Sequence, residues 1–204
     1  MEILAITASP RRNGNSETLL NKTLSGIKRK GAEIKKIALA DLKIFSCNEC
    51  QACFKTGECV IDDDMQGLYR DLLTADILLI ASPIYFQGLP CQLKCVIDRC
   101  QALWARKYIL DKGIKGMKGL QRAERAKKAN RVKKAREAAA ILTCASKGAK
   151  HTFTGSVITL KAWFNTMDAR YKKELLVEGL EEETAALKDR KLLVKAFKFG
   201  ESLN

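Results

Sequence analysis

Four closely spaced cysteines are the residues of this sequence best suited to chemistry. Cys47, Cys50, Cys53 and Cys59 follow the pattern Cys-x2-Cys-x2-Cys-x5-Cys, with no histidine nearby. Thiolates on one such loop can each bind one iron of a [4Fe–4S] cluster. Structural zinc prefers two cysteine pairs separated by a longer span, and a disulfide would leave two of the thiols unexplained. The spacing favours a cluster, and zinc, redox disulfides or no shared role remain as alternatives.

A second candidate site is the loop at residues 8–16, which reads Ala-Ser-Pro-Arg-Arg-Asn-Gly-Asn-Ser. It follows a predicted strand and opens a predicted helix, where backbone N–H groups can converge on an anion. Arg11 or Arg12 can add charge-assisted hydrogen bonds. Neither the Walker motif nor the dinucleotide motif Gly-x-Gly-x-x-Gly is present. The pattern favours a phosphate site over an ordinary turn with a capped helix.

A third segment, residues 82–90, follows the most hydrophobic predicted strand and reads Ser-Pro-Ile-Tyr-Phe-Gln-Gly-Leu-Pro. Tyr85 and Phe86 can hold a flat heteroaromatic ring in such a loop. Taken alone, the same pair fits equally well as aromatics packed on the next helix. Together with the phosphate loop, the segment indicates a mononucleotide with an aromatic head.

These loops lie between alternating strand and helix patterns. The predicted strands are Glu2–Thr7, Glu33–Leu39, Asp76–Ala81, Ala138–Ala145 and a weaker one near Lys172–Val177. The predicted helices are Ser16–Lys30, Asp62–Thr74, Pro90–Arg106, Thr154–Asp168 and Glu182–Phe199. The alternation predicts an α/β fold whose parallel sheet carries helices on both faces. Such sheets bind ligands at the carboxyl ends of their strands, where the strand order reverses.

Length and composition fit a single globular domain over residues 1–204. The chain is 47% hydrophobic and 29% charged, which excludes a disordered or collagen-like chain. The longest apolar run, Ile77–Ala81, is too short to cross a bilayer, and the N-terminus lacks a secretory-signal pattern. We therefore expect a cytoplasmic chain with no membrane association, in which clustered thiols serve a metal or redox chemistry.

The formal net charge of +14 is concentrated in a basic insertion at about residues 105–136, which we expect to form a helical excursion. This segment has one aromatic residue, Tyr108, and no recognition motif, so nucleic acid is not the favoured partner. A solvated helix is favoured. The functional alternative is electrostatic steering of an acidic electron donor such as ferredoxin.

Three separated motifs, in this order, resemble the flavodoxin-like NADPH-dependent FMN reductase superfamily. They are SPRRNGNS at 9–16, CNECQACFKTGECVIDDDM at 47–65 and SPIYFQGLPCQLKCVIDRC at 82–100. The complete four-cysteine spacing resembles the iron–sulfur flavoprotein branch of that superfamily. The resemblance is strong over about residues 1–104 and holds only in outline beyond them.

The resemblance implies a flavodoxin-like five-stranded parallel sheet that carries FMN and a [4Fe–4S] cluster, the latter on a loop at residues 46–60. The implied cluster ligands are Cys47, Cys50, Cys53 and Cys59. The residues implied to bind the phosphate of FMN are Ser9, Arg11, Asn15 and Ser16. The residues implied to flank its isoalloxazine ring are Pro83, Ile84, Tyr85 and Phe86. The family has small or aliphatic residues where this chain has Cys91 and Cys95. We expect those two, with Cys100 and Cys144, to be buried apolar thiols.

The implied function is that of an oxidoreductase and electron-transfer protein. Electrons would pass from a low-potential donor such as ferredoxin, through cluster and FMN, to a small acceptor such as oxygen, peroxide or a quinone. Such a transfer demands no acid or base, so no catalytic residue is predicted, and His151 is expected to be a surface or flavin-adjacent side chain. The resemblance also implies a homo-oligomer, a dimer or tetramer, with cluster and flavin brought together across or near a subunit interface.

Two other functions compete with this one. The first is an NAD(P)H-dependent FMN or quinone reductase whose cysteine loop is structural. The second is a zinc or nucleic-acid-binding protein on a flavodoxin-like scaffold.

Overall fold

A computed structural model describes residues 1–27, 31–112 and 135–203, and in these residues one parallel sheet forms the centre of the fold. Its strands are β1 (Glu2–Thr7), β2 (Glu33–Ala38), β3 (Ile77–Pro83), β4 (Arg136–Thr143) and β5 (Ala169–Val177). All neighbouring strands are parallel, and the order across the sheet is β2-β1-β3-β4-β5. This is the flavodoxin-like order, and it confirms the predicted fold class.

Helices cover both faces of the sheet. They are α1 (Asn15–Gly26), α2 (Ala52–Thr56), α3 (Met65–Thr74), α4 (Cys91–Arg99), α5 (Gln101–Tyr108), α6 (Thr154–Thr166), α7 (Ala185–Lys188) and α8 (Arg190–Glu201), with a short 3-10 helix at Leu39–Asp41. Buried residues of α1, α7 and α8 form the core on one face, and those of α3 to α6 form it on the other. Within the described residues, no helix is both long and apolar enough to span a membrane.

The burial of each strand follows its composition. β3 is apolar over most of its length and is buried on both faces, as expected for a central strand of a parallel sheet. β2 lies at an edge and carries Lys35 and Lys36, whose charges also discourage pairing with another strand. The predicted helix at Pro90–Arg106 is divided into α4 and α5 at Cys100, and the helix predicted from Asp62 begins only at Met65.

Residues 113–134, the greater part of the predicted basic insertion, lie outside the described residues, so the single-domain prediction for 1–204 stays a prediction. The described chain resumes close to Arg136, which is half-buried at the start of β4. It donates to the carbonyl oxygens of Ala75 (2.8 Å), Met167 (2.7 Å) and Leu72. These carbonyls lie at the ends of α3 and α6, where helices leave acceptors unpaired. Burial lowers the pKa of Arg136 to about 10.

The carboxylate of Glu17 fixes the loop that follows β1. Its side chain is almost fully buried and accepts hydrogen bonds from the Asn13 N–H at 2.7 Å and from Lys36 Nζ at 2.6 Å. Asn13 has a left-handed backbone, with φ of 56°, so Glu17 holds a conformation that the chain seldom adopts. Burial alone raises the pKa of Glu17, but the hydrogen bonds and the positive charges of Lys36 and Arg12 outweigh it, and this pKa lies below its ordinary value.

Helices α1 and α8 cross with their backbones in direct contact. A Cβ atom on Gly26 would overlap the carbonyl oxygen of Phe197, and one on Gly200 would overlap the carbonyl oxygen of Thr23. The hydroxyl of Thr23 donates to the Ala196 carbonyl oxygen at 3.1 Å across the same crossing. The second face of the sheet is therefore covered by a helix pair that requires glycine at its closest point.

We expect Gly200→Ala to lower the free energy of unfolding by about 1–3 kcal/mol, because the added methyl group forces the two helix backbones apart. The matched control is Gly67→Ala in α3, where a Cβ atom meets nothing within 4 Å. It should raise the free energy of unfolding by about 0.5–1 kcal/mol, since alanine is less flexible than glycine in the unfolded chain. Urea unfolding measures both. Equal stability of the two variants would contradict the close contact of the α1 and α8 backbones at Gly200.

Glu17→Gln should lower the free energy of unfolding by about 1–3 kcal/mol near neutral pH, because a buried charge-assisted pair is lost. A carboxyl whose folded pKa is depressed contributes stability that is present above its unfolded pKa and is lost as the pH falls through the folded value. The difference between wild type and variant should therefore shrink as the pH falls from about 7 to about 3. Urea unfolding across this range, with the exposed Glu181→Gln as control, measures it. A difference in the free energy of unfolding that does not change with pH would contradict a stabilising role for the ionised Glu17 carboxylate.

Candidate functional site

The two loops predicted to bind a mononucleotide lie at the same edge of the sheet. β1 and β3 are neighbours, and the Ala8 N–H donates to the Ala81 carbonyl oxygen at 2.8 Å beyond the last paired residues of β1. The chain leaves β1 toward β2 on one side and leaves β3 toward β4 on the other, so the order reverses between β1 and β3. The loops after these strands therefore border the crevice where such sheets bind ligands.

The loop after β1 presents hydrogen-bond donors at the start of α1. Ser9 is nearly buried, and its Oγ accepts from the Arg11 N–H at 3.1 Å. Ser16 is buried in the first turn of α1, whose leading N–H groups have no acceptor within the helix. Thr7, at the end of β1, has a buried Oγ1 without a hydrogen-bond partner in the described part of the chain. These groups fit an anion bound at the helix N-terminus.

Asn15 has a structural role that the sequence analysis did not identify. Its side-chain Nδ2 donates to the carbonyl oxygens of Leu180 (3.2 Å) and Glu182 (2.7 Å). Its Oδ1 accepts from the Ala186 N–H at 2.9 Å. Both N–H groups of the side-chain amide therefore donate to the segment that leads into α7. Nearby, Arg11 forms an exposed ion pair with Glu183 at 3.3 Å, so the predicted anion-binding charge has a partner within the chain.

The loop after β3 is a tight turn that exposes its aromatic residues. Tyr85 and Gly88 exchange backbone hydrogen bonds at 3.0 and 2.9 Å. Between them, Phe86 (φ 49°) and Gln87 (φ 60°) have left-handed backbones, which a two-residue hairpin turn requires and which glycine or asparagine normally supplies. The Phe86 side chain is fully exposed, so it does not pack on the following helix. Backbone strain of this kind is often found at functional sites.

Pro83 and Ile84 connect this turn to the sheet. Pro83 is the last residue of β3, and the Ile84 N–H donates to the Thr143 carbonyl oxygen at 2.8 Å. The far side of the turn is close to α6, where the Ser156 hydroxyl lies 3.5 Å from the Gln87 carbonyl oxygen. His151 is exposed on the loop before α6, as expected.

The four cysteines of the loop at residues 46–60 line one cavity of about 820 Å³. Cys47 and Cys50 are exposed, whereas Cys53 and Cys59 are half-buried. The opposite wall consists of residues from α4, α5 and α6, and includes Trp104, Ile158 and Trp163. Among the described residues, no three histidine, cysteine or acidic side chains converge on a single-ion position. The thiols therefore share one cavity without meeting at one point.

The electrostatics of this cavity suit a positively charged occupant. Burial raises the pKa of the Cys53 thiol, and electrostatic repulsion from the neighbouring sulfurs of Cys59, Cys47 and Cys50 raises it further. Four thiolates brought together repel one another unless positive charge lies among them. Soft thiolate donors select iron–sulfur clusters, zinc or copper(I), so the donor set fits an iron–sulfur group by its chemistry.

A buried ion pair closes the base of the cysteine loop. Arg99, the last residue of α4, pairs with Asp63 at 2.7 Å, and both side chains are almost inaccessible to solvent. Burial alone would raise the pKa of Asp63, but hydrogen bonds from Arg99 and from the N–H groups of Phe45 and Met65 outweigh it and lower this pKa. Tyr69 donates to the Arg99 carbonyl oxygen at 2.6 Å.

The sequence analysis missed this pair. The predicted helix from Asp62 would contain Asp63 in its first turn. In the structure Asp63 precedes α3 and pairs with Arg99 of α4. The available signal was an arginine at a position of α4 that the helical period directs toward the core, since burial of arginine almost always requires an acidic partner.

The remaining cysteines agree only in part with the expectation that all are buried. Cys100 and Cys144 are buried, and burial raises the pKa of the Cys100 thiol to about 12. Cys95 is half-buried and Cys91 is exposed, so the expectation is wrong for Cys91. Cys91 is the first residue of α4 and lies on its solvent side, where no other element covers it in the described part of the chain.

Comparison with known proteins finds sequences similar to this chain. The family model described as NADPH-dependent FMN reductase matches residues 1–130. An iron–sulfur flavoprotein of Archaeoglobus fulgidus is 39% identical over 111 residues, which are 54% of this chain and 56% of the relative. One of Methanocaldococcus jannaschii is 36% identical over 103 residues, which are 50% of this chain and 53% of the relative. The chain thus spans about half the length of the curated relatives it matches.

Solved structures extend the similarity in fold to the whole chain. The NAD(P)H:quinone oxidoreductase of Methanothermobacter marburgensis superposes with a TM-score of 0.71 at 14% identity, covering 100% of this chain and 96% of that one. At this identity the match bears on fold alone. The family match over residues 1–130 is more than half of the 204 residues, so the chain belongs to the NADPH-dependent FMN reductase family.

Proposed function

We propose that this chain is a redox flavoprotein that carries FMN and a [4Fe–4S] cluster, as an iron–sulfur flavoprotein does. The observation that carries the proposal is the placement of four thiols, from a single loop, on the wall of one cavity beside a flavodoxin-like sheet. The family match supports FMN, and the names of the curated relatives support the cluster.

FMN would lie in the crevice between the loops after β1 and β3. Ser9 and Ser16 would offer hydroxyl groups to the phosphate, Arg11 its charge, and Asn15 its backbone N–H, since both side-chain donors of Asn15 are already used. Pro83, Ile84, Tyr85 and Phe86 would flank the ring. The exposed, strained position of Phe86 supports this assignment, because the aromatic face is already presented to a ligand.

The cluster would be held by Cys47, Cys50, Cys53 and Cys59. When bound, it supplies one-electron transfer, while FMN can exchange two electrons. The chain's own residues set its surroundings: Trp104 and Trp163 limit water on one side, and the exposed Cys47 and Cys50 leave the other side open to an electron donor. No proton-transferring side chain is required for this task.

The partners belong to the same proposal. We infer a low-potential donor such as ferredoxin and a small acceptor such as oxygen, peroxide or a quinone. We also infer a homo-oligomer, because large apolar side chains beside the cavity are exposed, among them Trp104, Tyr108 and Ile158. Such a cluster of exposed side chains marks a surface that is covered in an assembly.

A second candidate is an NAD(P)H-dependent FMN or quinone reductase whose cysteine loop is structural. The family match favours it, because the family is described by its use of NADPH. The two candidates share the flavin site and differ in the cysteine loop and in the electron donor.

The cofactor content of protein purified without oxygen tests the first candidate. We expect about four iron, about four sulfide and about one FMN per chain, with little zinc. Cys53→Ser should lose most of the iron and sulfide while keeping FMN, since it removes a thiolate from the cavity wall. Cys91→Ser, the matched control on the exposed end of α4, should keep the wild-type content.

One FMN with no iron or sulfide, even after anaerobic reconstitution, would contradict the cluster and favour the second candidate. Stoichiometric zinc without flavin would contradict both. Equal iron loss in Cys53→Ser and Cys91→Ser would show that thiol loss anywhere destabilises the protein, and would contradict the ligand assignment.

The electron donor is tested by stopped-flow absorbance of the flavin under anaerobic conditions. With reduced ferredoxin as donor, flavin bleaching should be at least about tenfold faster than with an equal concentration of NADPH, and it should slow as salt rises, because the chain is basic and ferredoxin is acidic. Faster bleaching by NADPH would favour the reductase candidate instead. Bovine serum albumin, an acidic protein without redox activity, replaces ferredoxin in the control and should cause no bleaching.

A further inference from the structure

We propose that Arg99 is a positioning residue that fixes the sulfur of Cys59 and favours the reduced form of the cluster bound there. The inference rests on the proposed function, because it assigns a role toward the cluster of that site. The proposal gives Arg99, which is not one of the four cysteine ligands, a role in setting the reduction potential of the cluster.

The hydrogen bonds of Arg99 carry the proposal. The side chain is inaccessible to solvent, and Nε donates to Cys59 Sγ at 3.2 Å. Nη1 donates to the Phe45 carbonyl oxygen at 2.9 Å and to Asp63 at 2.7 Å. Nη2 donates to the Ile61 carbonyl oxygen and to Asp63, at 3.2 and 3.1 Å. All five N–H donors of the guanidinium therefore have acceptors.

These acceptors lie on both sides of the cysteine loop. Phe45 precedes Cys47, whereas Ile61 and Asp63 follow Cys59. One rigid, planar cation thus holds the beginning and the end of the loop together and points its remaining N–H at the last of the four sulfurs. Lysine has no such planar arrangement of donors and could not reproduce all of these bonds at once.

The contact with sulfur gives Arg99 an effect beyond stability. Reduction adds one negative charge to a cluster, and a cationic N–H donor to a ligating sulfur stabilises that charge. Solvent screens this interaction only weakly, because the Arg99 side chain is withdrawn from water. Arg99 therefore holds the reduction potential of the cluster above the value that the thiolates alone would give.

The test is an EPR-monitored redox titration of anaerobically reconstituted Arg99→Lys. We expect the variant to keep most of its iron and sulfide but to lose at least a factor of ten in the equilibrium constant for reduction, about 59 mV for a one-electron couple. The matched control is Arg136→Lys, which alters a half-buried guanidinium that donates to three carbonyl oxygens and, within the described residues, to no sulfur. It should lose stability without a change in potential.

A wild-type potential in Arg99→Lys would overturn the proposal, as would an equal shift in Arg136→Lys. If Arg99→Lys is too unstable to purify, the comparison is made in the Gly67→Ala background, which we expect to be stabilised, and the same outcomes decide. Failure of the proposed function itself is distinguishable, because wild-type protein would then take up no iron or sulfide at all.

Discussion

The buried ion pair of Arg99 and Asp63 is the interaction on which the cysteine loop depends. Between the 3-10 helix and α3 the chain runs for more than twenty residues with only the single helical turn α2 as regular structure. A segment of this kind has few backbone hydrogen bonds of its own to define its path. The guanidinium of Arg99 adds hydrogen bonds that define this path, since it donates to backbone carbonyl oxygens on both sides of the cysteines. Removing either charge would leave the other buried and unpaired, which is costly.

The loops after β1 and β3 depend on a different constraint, the reversal of strand order between these two strands. That reversal places two loops from distant parts of the sequence on one crevice. Local contacts then shape the loop after β1: Glu17 holds the left-handed Asn13, and Asn15 binds the segment that leads into α7 to the start of α1. The C-terminal third of the chain therefore helps to define a loop near residue 10, although it lies outside the region of strong sequence resemblance.

Much of the fold could be predicted because its signals are local. Apolar runs located β1 and β3 to within two residues, and the alternation of strands and helices indicated a parallel sheet. The buried ion pair and the partners of Asn15 could not be predicted in this way, because each joins residues more than thirty positions apart. The exposure of Cys91 was missed because composition does not show which side of a helix end faces the core.

The residues predicted for FMN and the cysteine cavity do not overlap within one chain, and this bears on assembly. None of the eight residues predicted for FMN lines the cysteine cavity, which is bounded by α4, α5 and α6. Both regions nevertheless present exposed aromatic or apolar side chains: Tyr85 and Phe86 at the turn after β3, and Trp104 and Ile158 at the cavity. In the proposed homo-oligomer, a second copy that set its turn after β3 against the cavity would cover both surfaces at once. The proposed assembly would thus give the exposed aromatic turn and the apolar cavity wall one physical explanation.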